Sequence, residues 1–146
     1  MNTFICYVNR FSSSLDYHQY PLGYNLENYT LKLREYINDG VLAKRGDKVF
    51  YVMLHYWDKG ICACGDITYV RRKEKPYYAW VTMKVMLHPK ENSILPLKDV
   101  QSIMPDFDWL NASNGTLLSA EYSEKLESIW NKHIIDNKIK IDKGRT

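Results

Sequence analysis

The stretch from Gly46 to Tyr69, GDKVFYVMLHYWDKGICACGDITY, decides the fold. It opens with a Gly-Asp turn and continues into the apolar run VFYVML. Successive side chains of a strand point to opposite faces of the sheet, and apolar residues on both faces are typical of a strand with neighbours on both sides. A turn that contains Trp57 leads to a second strand, which carries Gly60 and Gly65. The pattern predicts a β-hairpin at the centre of a small, curved barrel.

Further strands are predicted along the chain. Alternation and apolar runs place them at Phe4 to Val8, Lys48 to Tyr56, Gly60 to Arg72 and Tyr77 to His88. Trp80 alternates within the last of these strands, and we expect it in the core. The alternating sequence KIKI at 138–141 predicts an edge strand or a frayed end.

Three segments have helical character. The first is a short helix between a cap at Asn25 and a stop at Asp39-Gly40, with apolar side chains at helical spacing at Leu26, Tyr29, Leu33 and Ile37. The second is a proline-bracketed apolar cluster between 95 and 104, which predicts a covering turn or a short helix. The third is a helix capped by Ser119, with an apolar stripe formed by Tyr122, Leu126, Ile129, Trp130 and His133.

Length and composition limit the organisation of the chain. With 146 residues and 45% hydrophobic side chains, it is long enough for one core and too short for two comfortable ones. We predict a single domain over residues 1–146, with 136–146 as a basic tail that can fray. The predicted fold class is α+β, a small, mixed, curved β-barrel of about five to six strands with flanking helices.

Cysteine usage and hydropathy predict a cytoplasmic protein without a membrane partner. Three cysteines without regular spacing fit a reducing compartment better than a disulfide framework. No apolar run approaches the length that spans a membrane. The opening sequence MNTFICYVNR has the pattern of a strand rather than that of a signal peptide.

Charge is more informative in its distribution than in its sum. The net charge of +3 is too small to indicate a nucleic-acid partner by itself. Four basic side chains nevertheless fall in one predicted turn, at Arg71, Arg72, Lys73 and Lys75. Contact with phosphates and ordinary solvent exposure explain this turn about equally well.

Three segments together resemble the PUA-like superfamily, and EVE domains in particular. They are AKRGDKVFYV at 43–52, GICACGDI at 60–67 and LPLKDV at 95–100, in an order of elements that covers most of the chain. The resemblance implies a PUA-like barrel that recognises RNA or DNA. In EVE domains and the related YTH modules, a modified base is inserted into an aromatic pocket.

The residues provide the chemistry for such a pocket. An extruded base loses its stacking partners, which aromatic rings replace while polar groups read the base edge. The base-pocket candidates are Tyr56, Trp57, Asp58, Trp109, Asn111, Ser113 and Asn114. Trp57 and Trp109 come first because each lies in a polar, turn-like sequence where an indole has no evident place in a core. The alternative for both is that they close one end of the barrel. The phosphate-contact candidates are Arg71, Arg72, Lys73 and Lys75.

Other functions remain open at this point. No arrangement of nucleophile, base and orienting group is visible, nor is a phosphate-binding loop, so we expect a non-catalytic module without metal or cofactor. One alternative is a small-molecule-binding domain or small enzyme that uses the same barrel mouth, with Asp47, His55 and Asp58 as polar groups. Another is a protein-interaction subunit with an aromatic surface.

Two of the polar motifs have simpler structural explanations. An Asp that follows Gly readily accepts local backbone hydrogen bonds, which explains Asp47 as a turn residue. Cys62 and Cys64 lie two apart, with Asp66 next in the row, but no second Cys/His pair accompanies them. They therefore predict small buried side chains rather than a metal site.

Overall fold

Seven strands and two helices make up the part of the chain that the structure describes. The computed structural model describes residues 1–8, 32–54, 59–87, 94–137 and 139. Its elements are β1 (Thr3–Tyr7), β2 (Lys32–Tyr36), a 3-10 turn (Gly40–Leu42), β3 (Lys48–Met53), β4 (Gly60–Arg71), β5 (Tyr78–Met86), β6 (Leu95–Pro96), α1 (Leu97–Ile103), β7 (Thr116–Leu117) and α2 (Ala120–Asp136). The strands form one mixed sheet in the order β2-β5-β4-β3-β1-β7, with β6 beside β4. The sheet curls into a half-barrel flanked by the helices, which confirms the predicted α+β class.

The central position predicted for β3 is confirmed. This strand pairs with β1 in parallel and with β4 in antiparallel orientation, and its side chains from Val49 to Met53 are buried. Its Phe50 packs against Trp130 of α2, with ring centroids 5.6 Å apart. Its Tyr51 faces the barrel interior instead, where the hydroxyl donates to Glu35 of β2 at 2.9 Å. Because two strands separate β2 from β3 in the sheet, this contact reflects its strong curl.

The prediction of a helix before Asp39 is wrong for the part of that segment that the structure describes. Residues 32–36 form β2, which pairs with β5 in antiparallel register from Lys32 to Tyr36. Leu33 and Glu35 are buried. The spacing of Leu33 and Ile37 is four residues, which suits one face of a helix and one face of a strand equally well. Pairing with β5 settles the choice in favour of the strand. The remainder of the predicted helix, residues 25–31, lies outside the described residues.

The two later helices are confirmed. α1 occupies the proline-bracketed cluster, and α2 begins after Ser119, whose hydroxyl accepts a hydrogen bond from the Tyr122 amide at 3.2 Å. The residues of α2 that enter the core are Leu126, Trp130 and Ile134. An ion pair of 2.6 Å between Lys48 and Glu127 fixes α2 against β3. None of the helices in the described part of the chain is both long and apolar enough to cross a bilayer.

Candidate functional site

The predicted base-pocket residues fall into two groups. Tyr56, Trp57 and Asp58, together with the neighbouring His55, lie outside the described residues, so their role stays a prediction. Trp109, Asn111, Ser113 and Asn114 belong to the described turn that joins α1 to β7. Their environments differ from one residue to the next.

Trp109 has a place in the core, contrary to the expectation that it has none. Its side chain is 1% exposed, and its ring lies 4.5 Å from that of Phe107, centroid to centroid. The backbone carbonyl of Trp109 accepts a hydrogen bond of 2.8 Å from the buried Tyr7 hydroxyl. The indole N–H is buried without a hydrogen-bond partner in the described part of the chain. In this conformation Trp109 anchors its turn to β1, and its ring offers no open face to a base.

Asn114 is also turned inward. Its side-chain oxygen accepts from the Tyr7 amide of β1 at 2.8 Å, and its side-chain nitrogen donates to the Tyr36 carbonyl of β2 at 2.9 Å. The neighbouring Gly115 amide donates to the Ile5 carbonyl at 2.7 Å, so the Asn114 amide group supplies the next hydrogen bond along the same edge of β1. The side chain therefore links two strands that do not pair with each other.

Asn111 and Ser113 lie nearer the surface. The Asn111 side-chain nitrogen lies 3.1 Å and 3.2 Å from the two carboxylate oxygens of Asp108, and this contact is exposed. Ser113 is exposed, and its carbonyl accepts from the Thr116 hydroxyl at 2.6 Å. These residues stabilise the turn locally, and their predicted role in reading a base stays a prediction.

Asp47 has the structural role that its position after Gly predicts. One carboxylate oxygen accepts from the Lys44 amide at 2.8 Å and the other from the Asn2 amide at 3.0 Å. The side chain is 3% exposed. Gly46 precedes it with a φ of +95°, a conformation that side chains disfavour and glycine accepts. One carboxylate oxygen thus closes the turn, and the other ties the turn to Asn2, which directly precedes β1.

The predicted phosphate contacts meet a second basic segment in space. Arg71, Arg72, Lys73 and Lys75 lie at the β4–β5 hairpin, and all four are exposed. The Arg72 guanidinium donates to the Ala43 carbonyl. The Gly46 amide donates to the Ile67 carbonyl of β4 at 2.8 Å, so the turn at 43–46 runs beside the hairpin. We call the resulting cluster the basic end; its members are Lys44, Arg45, Arg71, Arg72, Lys73 and Lys75.

Beside the basic end, aromatic rings cover the outer face of the sheet. Register places Trp80 of β5 opposite Arg34 of β2 on one side and Tyr69 of β4 on the other. The next row contains Tyr36, Tyr78 and Arg71 in the same order. Residues directly opposite on paired strands share a face. We call this surface the aromatic face; it consists of Arg34, Tyr36, Tyr69, Tyr78 and Trp80.

Trp80 is therefore not the core residue that its alternation suggested. It is half-buried, while its neighbours Ala79 and Val81 point to the barrel interior and are fully buried. The sequence carried a signal for this orientation, because Trp80 shares its parity with the polar Thr82 and Lys84. A strand face that carries these polar residues is more readily assigned to the outside of a barrel.

Contacts within the aromatic face hold its rings in place. The Tyr69 and Trp80 rings meet edge to face at 5.2 Å, and the Tyr36 and Tyr78 rings do so at 6.3 Å. The Arg34 guanidinium lies over the Tyr78 ring at 4.9 Å from its centroid, within the range of a cation–π interaction. Tyr69 is 59% exposed, which leaves a large part of its ring open to solvent.

The barrel interior contains a buried polar cluster around Glu35. Burial and the Glu35 carboxylate both raise the pKa of Tyr51 well above its usual value, and the same two causes raise the pKa of the Cys6 thiol. On the side of β4 near α2, burial raises the pKa of Cys64 to about 12. Nucleophilic cysteine chemistry needs the thiolate. At neutral pH these two thiols are protonated. Cys62 and Cys64 are both buried, as the sequence predicts.

A surface groove of about 790 Å³ separates α1 from α2. Its apolar lining comes from Ile103, Pro105 and Ile129, and charged side chains border it, among them Glu121 and Lys125. Lys125 and Glu121 form an exposed ion pair of 3.2 Å along α2.

Comparison with known proteins shows similarity in fold alone. The sequence matches no protein-family model and no curated protein sequence. The structure is similar to the solved structure of a hypothetical protein from Leishmania major, with a TM-score of 0.56 and 11% sequence identity. The similarity covers 90% of this chain and 96% of the other. At this identity the two proteins share a chain path, and the likeness carries no function.

Proposed function

We propose that this protein is a non-catalytic nucleic-acid-binding module. The observation that carries the proposal is the basic end, in which six exposed cations from two segments distant in sequence lie together. The hydrogen bond from Arg72 to the Ala43 carbonyl joins these segments. A nucleic acid presents a regular row of phosphates, and cations that meet it gain affinity by releasing the counterions condensed there.

Nearby acidic side chains do little to neutralise this cluster. Glu74 is the one acidic residue between Arg71 and Lys75. Asp47 lies under the other segment, where it is buried and accepts from backbone amides. Even with both carboxylates counted, two negative charges stand against six cations. The basic end therefore presents an excess of positive charge, although the net charge of the whole chain is only +3.

The finer form of the proposal is that a modified or extruded base enters an aromatic pocket. The resemblance to EVE domains supports it, as does the concentration of ring and polar side chains at Tyr56, Trp57 and Asp58. Trp109 would contribute only if its turn opened, because its ring is buried here. RNA and DNA are both compatible with the basic end, since either provides phosphates.

The main catalytic alternative has less support. It relied on Asp47, His55 and Asp58 as polar groups at the barrel mouth. The carboxylate of Asp47 is buried and accepts from the Lys44 and Asn2 amides, whereas a general base must reach its substrate. A protein partner remains a second candidate, because the groove between α1 and α2 offers an apolar lining with a charged border.

The test compares the wild type with two variants, each of which reverses the charge of one lysine. Lys73→Glu reverses a charge in the basic end, whereas Lys98→Glu reverses one on α1, which packs near the opposite end of β4. Binding of labelled oligonucleotides is measured by fluorescence anisotropy between about 50 and 200 mM salt. For each phosphate that a variant no longer neutralises, the slope of log affinity against log salt should decrease in magnitude by about 0.7–0.9.

We expect that decrease in Lys73→Glu and an unchanged slope in Lys98→Glu. Equal decreases in both variants would mean that overall charge, and not the basic end, governs the interaction. If the wild type binds neither RNA nor DNA at low salt, the proposed function is wrong, and the groove between α1 and α2 becomes the surface to investigate.

A further inference from the structure

The aromatic face has a composition that neither the core nor a simple solvated surface requires. Four rings lie on the outside of three adjacent strands, and two arginines, Arg34 and Arg71, lie in the same two rows. Tyr69 is 59% exposed, and both arginines are exposed. The surface therefore combines flat aromatic rings with positively charged side chains on adjacent strands.

The charges around these rings are mostly positive. In the third row, the same register places Lys32 opposite Thr82, and Thr82 opposite Asp66. Lys32 is exposed, whereas Asp66 is half-buried. Through Arg71 the aromatic face continues directly into the basic end, since this residue pairs with Tyr78 and opens the hairpin. A ligand that crosses the face would thus meet rings first and then a row of cations.

This arrangement suits unpaired bases better than a duplex. In a duplex both faces of each base are stacked on neighbouring base pairs, so the bases cannot lie flat on a protein ring. Single strands expose those faces, and proteins bind them by combining aromatic stacking with cationic contacts to the backbone. The Trp80 and Tyr69 rings pack edge to face with their centroids 5.2 Å apart, so Tyr69 loses less side-chain freedom when a base stacks on it.

We propose that the aromatic face binds single-stranded nucleic acid, with a base stacked on Tyr69 and the adjoining phosphates held by Arg34 and Arg71. The proposal rests on the proposed nucleic-acid function and specifies the strandedness of the ligand and a second contact surface. The proposed contacts do not include Trp57. A base on it is read by stacking, so binding tolerates many sequences.

Substitution of Tyr69 tests the stacking contact. The probes are oligo(U) and oligo(dT) of about 12 nucleotides, within the site sizes of single-strand-binding grooves, and a duplex of the same length. Tyr69→Ala removes the ring from an exposed position, and Tyr69→Phe keeps the ring as a matched control. We expect Tyr69→Ala to weaken single-strand binding by about fivefold or more. Tyr69→Phe should bind like the wild type, and duplex binding should not change in either variant.

Photo-crosslinking gives a second, direct measurement. The oligonucleotide carries 4-thiouridine, and tryptic peptides of the crosslinked wild type are identified by mass spectrometry. The peptide Gly60–Arg71 contains Tyr69 as its one aromatic residue, whereas Trp57 falls in the peptide 49–59. Crosslinks in Gly60–Arg71 support the proposal. Crosslinks confined to 49–59 overturn it in favour of the pocket.

The outcomes separate this proposal from the one on which it rests. If the wild type binds no oligonucleotide, the nucleic-acid function itself fails. If it binds, and Lys73→Glu weakens binding while Tyr69→Ala does not, the function stands and the aromatic face is not its surface. Equal affinity for the duplex and the single strand, with no effect of Tyr69→Ala, also refutes the proposal.

Discussion

Replacement of Asn114 by alanine should destabilise the fold strongly, although the residue lies in a turn. The side chain accepts from the Tyr7 amide at 2.8 Å and donates to the Tyr36 carbonyl at 2.9 Å, and it is 8% exposed. Alanine deprives a buried amide of its acceptor, which costs about 1–3 kcal/mol, and removes a second bond worth about 0.5–1.5 kcal/mol. We therefore expect the free energy of unfolding to fall by about 1.5–4.5 kcal/mol.

Urea unfolding, followed by tryptophan fluorescence and far-ultraviolet circular dichroism, measures this decrease. With a denaturant slope of about 2 kcal/mol per molar, the midpoint should fall by about 1–2 M. Asn111→Ala is the matched control, since the Asn111 side chain donates to the Asp108 carboxylate in an exposed contact within the same turn. It should unfold within about 0.5 kcal/mol of the wild type. If Asn114→Ala is equally mild, the side chain does not link β1 to β2 as the structure indicates.

Two further predictions concern a turn and a buried thiol. Gly46 and Gly115 have φ values of +95° and +78°, but a Cβ would meet nothing within 4 Å at Gly46 and a main-chain carbon at 2.4 Å at Gly115. We expect Gly46→Ala to destabilise the fold by about 1–2 kcal/mol through backbone strain. Gly115→Ala should destabilise it clearly more, because its Cβ also meets the main chain of Ile37. Equal destabilisation of the two variants in urea unfolding would contradict the close approach of Gly115 to Ile37. Burial raises the pKa of the Cys64 thiol from 9.0 to about 12. The stability that the buried, protonated thiol contributes is therefore fully present below about pH 9 and is lost as the pH rises toward 12. In that window the free energy of unfolding falls by up to about 1.4 kcal/mol per pH unit. Stability measured from neutral pH to about pH 11 should therefore decline less steeply in Cys64→Ala than in the wild type, and parallel declines would show that the thiol does not titrate as inferred.

Much of the fold could be predicted because its signals are local. The apolar run in β3 marked a central strand, and the Ser119 cap marked the start of α2. The carboxylate of Asp47 accepts from the Lys44 amide three residues earlier, so its role in the turn was visible in the local sequence. The failure at β2 has an equally local cause. A spacing of four residues between Leu33 and Ile37 does not distinguish a helix from a strand, and the deciding partner, β5, lies more than 40 residues further along the chain.

The site was harder to predict because its parts are distant in sequence. The basic end needed the contact between Arg72 and Ala43, which are 29 residues apart. Trp109 was expected in a pocket because its neighbours are polar, yet the Tyr7 hydroxyl that fixes its turn comes from 102 residues earlier. For the aromatic face, alternation within each strand indicated which of its residues share a face. Only the register of β2, β5 and β4 brings the rings of different strands together.

The position of β1 has a consequence for protein synthesis. This strand leaves the ribosome before either of its neighbours in the sheet, since β3 begins at Lys48 and β7 at Thr116. Its side chains from Phe4 to Tyr7 are fully buried in the finished fold, so the nascent chain carries an apolar segment with both edges unpaired until those partners appear. An unpaired apolar strand is a template for aggregation. Translation that stops before residue 116 therefore yields a polypeptide in which one edge of β1 can never be closed by its own chain.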